Sequence, residues 1–405
     1  MKIMHKYKKR YRIAIGISTA LLLAVLAGGT WNSLRPLPPA TASAKVIAAT
    51  PGNTPNLAWP AVGQAAVGAP GFGVLATHGA QTPQPTASVA KVITALAVLE
   101  RKPLKVGEQG PIFTLSDADV AIYNNYVAID GSVARVSAGE QLSEYQALQA
   151  MLLPSANNIA DSMAGWVFGS LADYRTYAAA MVTRLGMNAT TIGTDASGLS
   201  PSTTSTASDL VLLGEAAMQN PVLAQIVSQT TAVLPVAGTV HNVNWLLGQD
   251  NVVGIKTGNT DDAGGCFLGA STHTLTNGTQ TTVITAIMGS SVLNTALAAT
   301  PPLINTVKPN LNVVTPITAG QVLGSYTFPW GGTGKVVAKK SLSLTAWYGD
   351  SLVTHVTLQH ISHPYKKGAP LGTATLTAGR QHASVEVVAQ QDSPVPSWWW
   401  RVTRH

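Results

Sequence analysis

The stretch Ala87-Ser88-Val89-Ala90-Lys91-Val92-Ile93-Thr94-Ala95-Leu96 decides the reading of this chain. Pro85 before it and Pro103 after it bracket a helix predicted over 88–101. Ser88 and Lys91 stand three apart, so both project from one face of that helix, one turn from each other. A serine hydroxyl is a poor nucleophile at neutral pH and needs an adjacent base. A lysine amine serves as that base when burial and a nearby positive charge depress its pKa. The positive field of the helix start favours an anionic oxygen at Ser88. Such a pair is common by chance, and two further clusters give it weight. Ser155-Ala156-Asn157 follows Pro154 at a predicted break between helices, where serine and asparagine otherwise serve as caps. Lys256-Thr257-Gly258 ends the apolar run Val252-Val253-Gly254-Ile255, where a strand delivers a cation and a hydroxyl to a cleft edge suited to a substrate carboxylate. Gly258 allows a substrate backbone to approach closely.

Ser88-Val-Ala-Lys91, Ser155-Ala-Asn157 and Lys256-Thr257-Gly258 resemble the three signatures of the serine penicillin-binding proteins and β-lactamases. Ala138-Gly-Glu-Gln-Leu, Leu152-Leu-Pro-Ser155-Ala-Asn157, Leu185-Gly-Met187, Ser197-Gly-Leu199 and Gly254-Ile-Lys256-Thr257-Gly258-Asn-Thr-Asp-Asp262-Ala-Gly264 narrow this. They are similar to the low-molecular-mass D-alanyl-D-alanine carboxypeptidases over residues 61–305. A weaker similarity around Lys366-Lys367-Gly368-Ala-Pro-Leu-Gly372 reaches the family's β-rich C-terminal domain. The resemblance implies an α/β (α+β) fold: a DD-peptidase/β-lactamase-like catalytic domain, its antiparallel sheet flanked by helices, with a small C-terminal β-sandwich.

It also implies a site. Ser88 would attack the carbonyl between two D-alanines of a peptidoglycan stem peptide, Lys91 would take its proton, and Ser155 would pass a proton to the leaving D-alanine. Asn157 would position the peptide, and Lys256, Thr257 and Gly258 would line the carboxylate end. The backbone N–H groups of Ser88 and Asn259 would form the oxyanion hole. β-Lactams would be covalent inhibitors, and neither metal nor cofactor is required. The chain departs from the family pattern at Ala156, where Gly is common, at Asn158, where Asp is common, and at Asn259, often His. Residues 71–79 lack the family's usual strand pattern. A D,D-endopeptidase, a β-lactamase and a catalytically idle wall-binding scaffold stand as alternatives; no Glu in a family-like loop supports the β-lactamase.

Composition bounds the rest. With 405 residues, 46% hydrophobic and 11% charged, the chain has ample apolar material for a core, which excludes bulk disorder. The net charge of +7 is concentrated in residues 1–12, which hold six of the 25 Lys and Arg. The remainder is nearly neutral, so no basic face is left for nucleic acid. Residues 13–31 carry no charge and match a bilayer span of about 19 residues. The basic flank predicts a cytoplasmic N-terminus and an exported remainder, held in the bacterial cell membrane by an anchor, or secreted if the segment is a cleaved signal peptide. Residues 32–60 read as a Pro/Ala/Thr-rich tether, 61–305 as the catalytic domain, 315–390 as the β-rich domain and 391–405 as a Trp/Arg tail.

Further helices are predicted near 144–153, 158–169, 172–186, 209–218 (capped by Ser208) and 291–299 (ending before Pro301). Strands are predicted at 252–257, 265–271 and 281–289, with an Asn277-Gly278 hairpin turn, and as six short runs between 321 and 389. Trp398, Trp399 and Trp400 suit either a membrane interface or packing back on the β-domain. The single Cys266 forms no intrachain disulfide and falls in a strand predicted to be buried.

Overall fold

The computed structural model describes residues 2–404; Met1 of the basic leader and His405 of the tail lie outside the described residues. A five-stranded antiparallel sheet organises the site. Its order is Val252–Thr260, Gly264–Thr274, Gln280–Ser290, Gln64–Ala69 and Gly73–His78. Both faces are covered, so its strands read as nearly continuous apolar runs. Leu268, Ala270, Ile284 and Ala286 meet one helical layer, made by Ala90–Arg101, Glu144–Leu152, Asn157–Phe168, Leu171–Arg184 and Ala207–Gln219. Phe267, Val283 and Ile287 alternate to the opposite face and meet the Leu293–Val307 helix. Gly278 takes φ +83° in the turn between Gly264–Thr274 and Gln280–Ser290.

A second sheet has seven strands, in the order Thr41–Ala44, Val322–Thr327, Thr333–Ala338, Gln381–Ala389, Pro370–Ala378, Leu352–Leu358 and Ile47–Ala49. Leu311–Ile317 and Leu342–Trp347 form a separate pair beside it. The apolar cluster under the Leu293–Val307 helix continues into this part through Leu311, Leu323, Tyr326 and Trp347.

Several elements differ from the sequence reading. Residues 41–49 are not extended tether: Thr41–Ala44 and Ile47–Ala49 pair along opposite edges of the seven-stranded sheet. Two strands adjacent in the chain reach both edges only if the sheet curls until the edges approach each other, and they then shield both from further pairing. Thr41–Ala44 is exposed along its whole length, so no apolar alternation announced it.

The helix predicted to end before Pro301 runs through Pro301 and Pro302 to Val307. Its buried stripe of Ala296, Leu297, Thr300, Leu303, Ile304 and Val307 continues past the prolines, and that packing outweighs the lost backbone bonds. The Ala207–Gln219 helix is capped by Thr206 rather than Ser208: the Thr206 hydroxyl accepts from the Asp209 N–H at 3.1 Å. Pro221 opens a further helix, Pro221–Val227, under an Asn220 cap. Gly73–His78 is a strand despite its weak pattern.

Candidate active site

Ser88 lies in the short 3₁₀ turn Ala87–Val89 that leads into the Ala90–Arg101 helix. Ala87 takes φ +46° and Ser155 φ +65°, left-handed backbone that costs a residue with a Cβ of order 1–3 kcal/mol. Two glycines enclose the first of these positions. A Cβ at Gly198 would collide with the Ala87 carbonyl oxygen, and one at Gly258 would stand 3.0 Å from Ala87 Cβ and 3.1 Å from Ser88 N. The Val252–Thr260 strand therefore runs directly against the turn that carries Ser88.

Lys91 is fully buried behind the serine. Its Nζ lies 2.8 Å from Ser88 Oγ, 2.7 Å from Asn157 Oδ1 and 2.9 Å from the Ser197 carbonyl oxygen. A neutral amine has two N–H donors and one lone pair. With the donors taken by Asn157 and Ser197, the lone pair is directed at the Ser88 hydroxyl. Burial holds the Lys91 ammonium well below the usual lysine range, and the Lys256 charge adds to this; Asp195 and Asp161 oppose it.

Lys256 is also buried, and burial lowers it to about 7. Its Nζ donates to the Thr257 carbonyl at 3.0 Å.

Ser88, Ser155, Thr257, Gly258 and Asn259 share one small cleft with Ser132, Val243 and Leu293. Lys91, Asn157 and Lys256 lie beneath it. The Asn259 side chain is occupied elsewhere, accepting from the Leu293 N–H at 3.0 Å, so the residue is left its backbone to act through.

Several residues at or behind the site were given no role by the sequence. Ser132 reaches the cleft because its carbonyl accepts from the Asn157 N–H at 2.7 Å. Asn158 holds the same loop by both ends of its amide: Oδ1 accepts from Ala134 N–H and Nδ2 donates to Ala134 C=O. Asp161 accepts from Tyr126 Oη at 2.6 Å and Ala196 N–H at 2.8 Å, while Asp195 accepts from Ser197 Oγ at 2.5 Å and Leu199 N–H at 2.9 Å. These two carboxylates fix the loop whose carbonyl binds Lys91. Only Ser197-Gly198-Leu199, as part of the resemblance, and Asn158, as a departure from it, were visible.

Cys266 is buried, and burial raises its thiol to about 11, so it has no part in the cleft's chemistry.

The family model for D-alanyl-D-alanine carboxypeptidase matches residues 67–292, a span that contains all three motifs. The chain is 30% identical over 208 residues to the D-alanyl-D-alanine carboxypeptidase DacB2 of Mycobacterium tuberculosis, covering 49% of this chain and 66% of that protein. It is 30% identical over 200 residues to the D-alanyl-D-alanine endopeptidase of Escherichia coli, covering 46% and 58%. The chain thus spans just under two thirds of one curated relative and over half of the other. The fold is that of the peptidoglycan synthesis regulatory factor PBP3 from Streptococcus pneumoniae, with a TM-score of 0.61 at 20% identity over 83% of this chain and 100% of that one. With the family model matching more than half of its length, the chain belongs to the D-alanyl-D-alanine carboxypeptidase family.

Proposed function

We propose that this chain is a serine-type D-Ala-D-Ala carboxypeptidase that removes the terminal D-alanine of peptidoglycan stem peptides through an acyl-enzyme. The observation that carries this reading is the Lys91 amine, buried 2.8 Å from Ser88 Oγ with its other partners already supplied. Ser88 Oγ attacks the carbonyl of the penultimate D-alanine while its proton passes to Lys91 Nζ. The tetrahedral oxyanion is met by the backbone N–H groups of Ser88 and Asn259, of a type worth about 3–4 kcal/mol of barrier per donor. As the C–N bond breaks, Ser155 relays a proton to the leaving amine. Asn157 holds Lys91 and the substrate amide in register. Lys256, Thr257 and Gly258 receive the terminal carboxylate, and the incoming anion returns Lys256 to its charged form. Water then cleaves the ester and restores Ser88.

Catalysis is assigned to residues 61–305, and the N-terminal helix, whose most apolar 18-residue stretch has a mean hydropathy of 2.0, is assigned as a membrane anchor that holds this domain outside the cytoplasm. The β-rich part, 315–390, which shares an apolar cluster with the back of the catalytic sheet, is assigned as its support.

The full chain in detergent is expected to bind a fluorescent penicillin covalently, and Ser88→Ala to abolish the label. Unchanged labelling of that variant refutes the assignment of Ser88, and a parent that does not label supports an idle scaffold. Release of D-alanine from a stem pentapeptide tests the carboxypeptidase. The E. coli relative's endopeptidase name makes cleavage of a crosslinked dimer the second substrate to compare.

A further inference from the structure

A second cavity lies one loop away from the Ser88 cleft. It has a volume of about 280 Å³ and is lined by Ile122, Asn125, Tyr126, Ile129 and Asp161. The Ser88 cleft is the smaller space, about 90 Å³. The Asp117–Val127 helix, which has no buried residue, supplies one wall of the second cavity. The Asn157–Phe168 helix supplies Asp161, one turn beyond Asn157.

Asp161 is only 9% exposed, and its carboxylate has no cationic partner. None of the three ion pairs among the described residues includes it. Lys91 directs its donors to Asn157 and Ser197 instead. Tyr126 Oη donates to Asp161 Oδ2 at 2.6 Å and the Ala196 N–H to Oδ1 at 2.8 Å, which leaves acceptor sites free on both oxygens. Burial raises the Asp161 carboxyl above the ordinary aspartate range, and these hydrogen bonds offset that only in part. The remaining lining is mostly apolar, and Ile129 is 63% exposed with nothing covering it. An aliphatic stem with a positive end complements such a lining. Its methylenes lie along the isoleucines, and its ammonium meets a carboxylate that lacks a counter-charge.

Only Gly131 and Ser132 separate this cavity from the cleft. The Gly131 N–H donates to the Tyr126 carbonyl at 2.8 Å, and Ser132 lines the cleft. A Cβ at Gly131 would stand 3.0 Å from Asn157 Nδ2 and 3.1 Å from Tyr126 Cδ1. Glycine therefore keeps the space between the Asn157 amide and the Tyr126 ring free of a side chain.

We propose that this cavity is a specificity subsite for the stem-peptide residue that precedes the two D-alanines, and that it takes a basic side chain of the lysine type. With the acylated D-alanine on Ser88 and its amide at Asn157, the Cα of the preceding residue lies about 3.8 Å further along the peptide. Its side chain passes over Gly131 and sets the ammonium on Asp161. The inference rests on the carboxypeptidase reading of the Ser88 site.

Two peptides that differ only in the ammonium test this: acetyl-lysyl-D-Ala-D-Ala and acetyl-norleucyl-D-Ala-D-Ala. D-Alanine release is measured as kcat/KM with the full chain in detergent. The parent is expected to favour the lysyl peptide roughly tenfold to a hundredfold, the worth of a hydrogen bond between charged groups. Asp161→Asn, which keeps an acceptor for the Ala196 N–H, is expected to bring the two peptides to near parity. Ile129→Lys sets a competing ammonium at the exposed mouth of the cavity, away from Lys91, and should lower the preference several-fold. Taking the ratio of two peptides on one variant cancels any general loss of acylation. Labelling by benzylpenicillin, which carries no ammonium, checks that each variant is folded. A parent that cleaves both peptides equally well overturns the inference and leaves the carboxypeptidase reading standing. A lysyl preference that survives either substitution undiminished overturns it as well. A parent that cleaves neither peptide overturns the carboxypeptidase reading, and this inference with it.

Discussion

Replacing Lys256 by methionine removes a buried charge from the site while keeping an unbranched side chain of similar length. Burial lowers Lys256 from 10.5 to about 7, and at 1.36 kcal/mol per decade a charged Lys256 costs the native state about 5 kcal/mol. The sign follows from proton counting. Below pH 7 both native and unfolded chains hold the proton, and the full cost is present. Between 7 and 10.5 the unfolded chain holds a proton that the native one has released, so stability rises with pH. Above 10.5 the cost is gone. From about pH 6 to about pH 9 the relief amounts to about 3 kcal/mol. Lys91 acts in the same direction, because it loses the repulsion of a neighbouring ammonium when Lys256 is replaced.

Urea denaturation of parent and Lys256→Met across this range, in detergent, is the assay. The variant is expected to be the more stable protein near pH 6, with the gap closing by about 3 kcal/mol toward pH 9. Its acylation by penicillin should fall roughly tenfold to a hundredfold, the worth of a charge-assisted hydrogen bond to a carboxylate. Parallel pH profiles, or a variant less stable than the parent near pH 6, refute the reasoning. The site would then hold Lys256 by a partner that offsets its desolvation.

Three further outcomes follow from the geometry. Gly198→Ala sets a methyl against the Ala87 carbonyl at φ +74°, so it should displace the Ser88 turn and slow penicillin acylation at least tenfold while the chain stays folded by circular dichroism. Asn158→Asp retains an acceptor for the Ala134 N–H but leaves the Ala134 carbonyl without a donor, and it should lower stability by about 1–3 kcal/mol, measured as a shift in urea midpoint. Glu144 has both carboxylate oxygens buried without a partner, and burial raises it from 4.5 to about 7, so the native chain resists losing a proton that the unfolded chain has already released. Glu144→Gln should therefore leave stability unchanged near pH 4 and raise it by about 2 kcal/mol near pH 8, and equal gains at both pH values would show that the carboxyl is not held protonated.

What could be read from the sequence was set by how local each constraint is. The Ser88–Lys91 spacing is a property of one helical turn, and the apolar runs that end in Lys256-Thr257-Gly258 and surround Cys266 belong to strands covered on both faces. Such features survive without knowledge of their neighbours. Ser132, Asp161 and Asp195 do not: the first two matter through backbone groups of Asn157 and Ala196 far along the chain, Asp195 through the turn it closes onto Leu199, and none stands in a pattern that differs from an ordinary loop or helix residue. Thr41–Ala44 is held by edge hydrogen bonds alone, which no side-chain periodicity records.

The departure at Asn158 is the most instructive case. Taken against the family pattern it stands as the loss of a carboxylate. In the fold it faces a single residue, Ala134, that presents both an N–H and a C=O to a buried side chain. An ionised carboxylate can satisfy the first and must leave the second unpaired, whereas an amide satisfies both without burying a charge. The amide therefore fits the conformation of the 132–134 loop, and that loop brings Ser132 to the rim of the cleft. A chain with aspartate at this position should hold the loop differently, with its carbonyl turned toward water or another donor. The residue at 158 thus reports on the backbone it faces across the cleft wall, which is why its meaning was absent from the sequence around it.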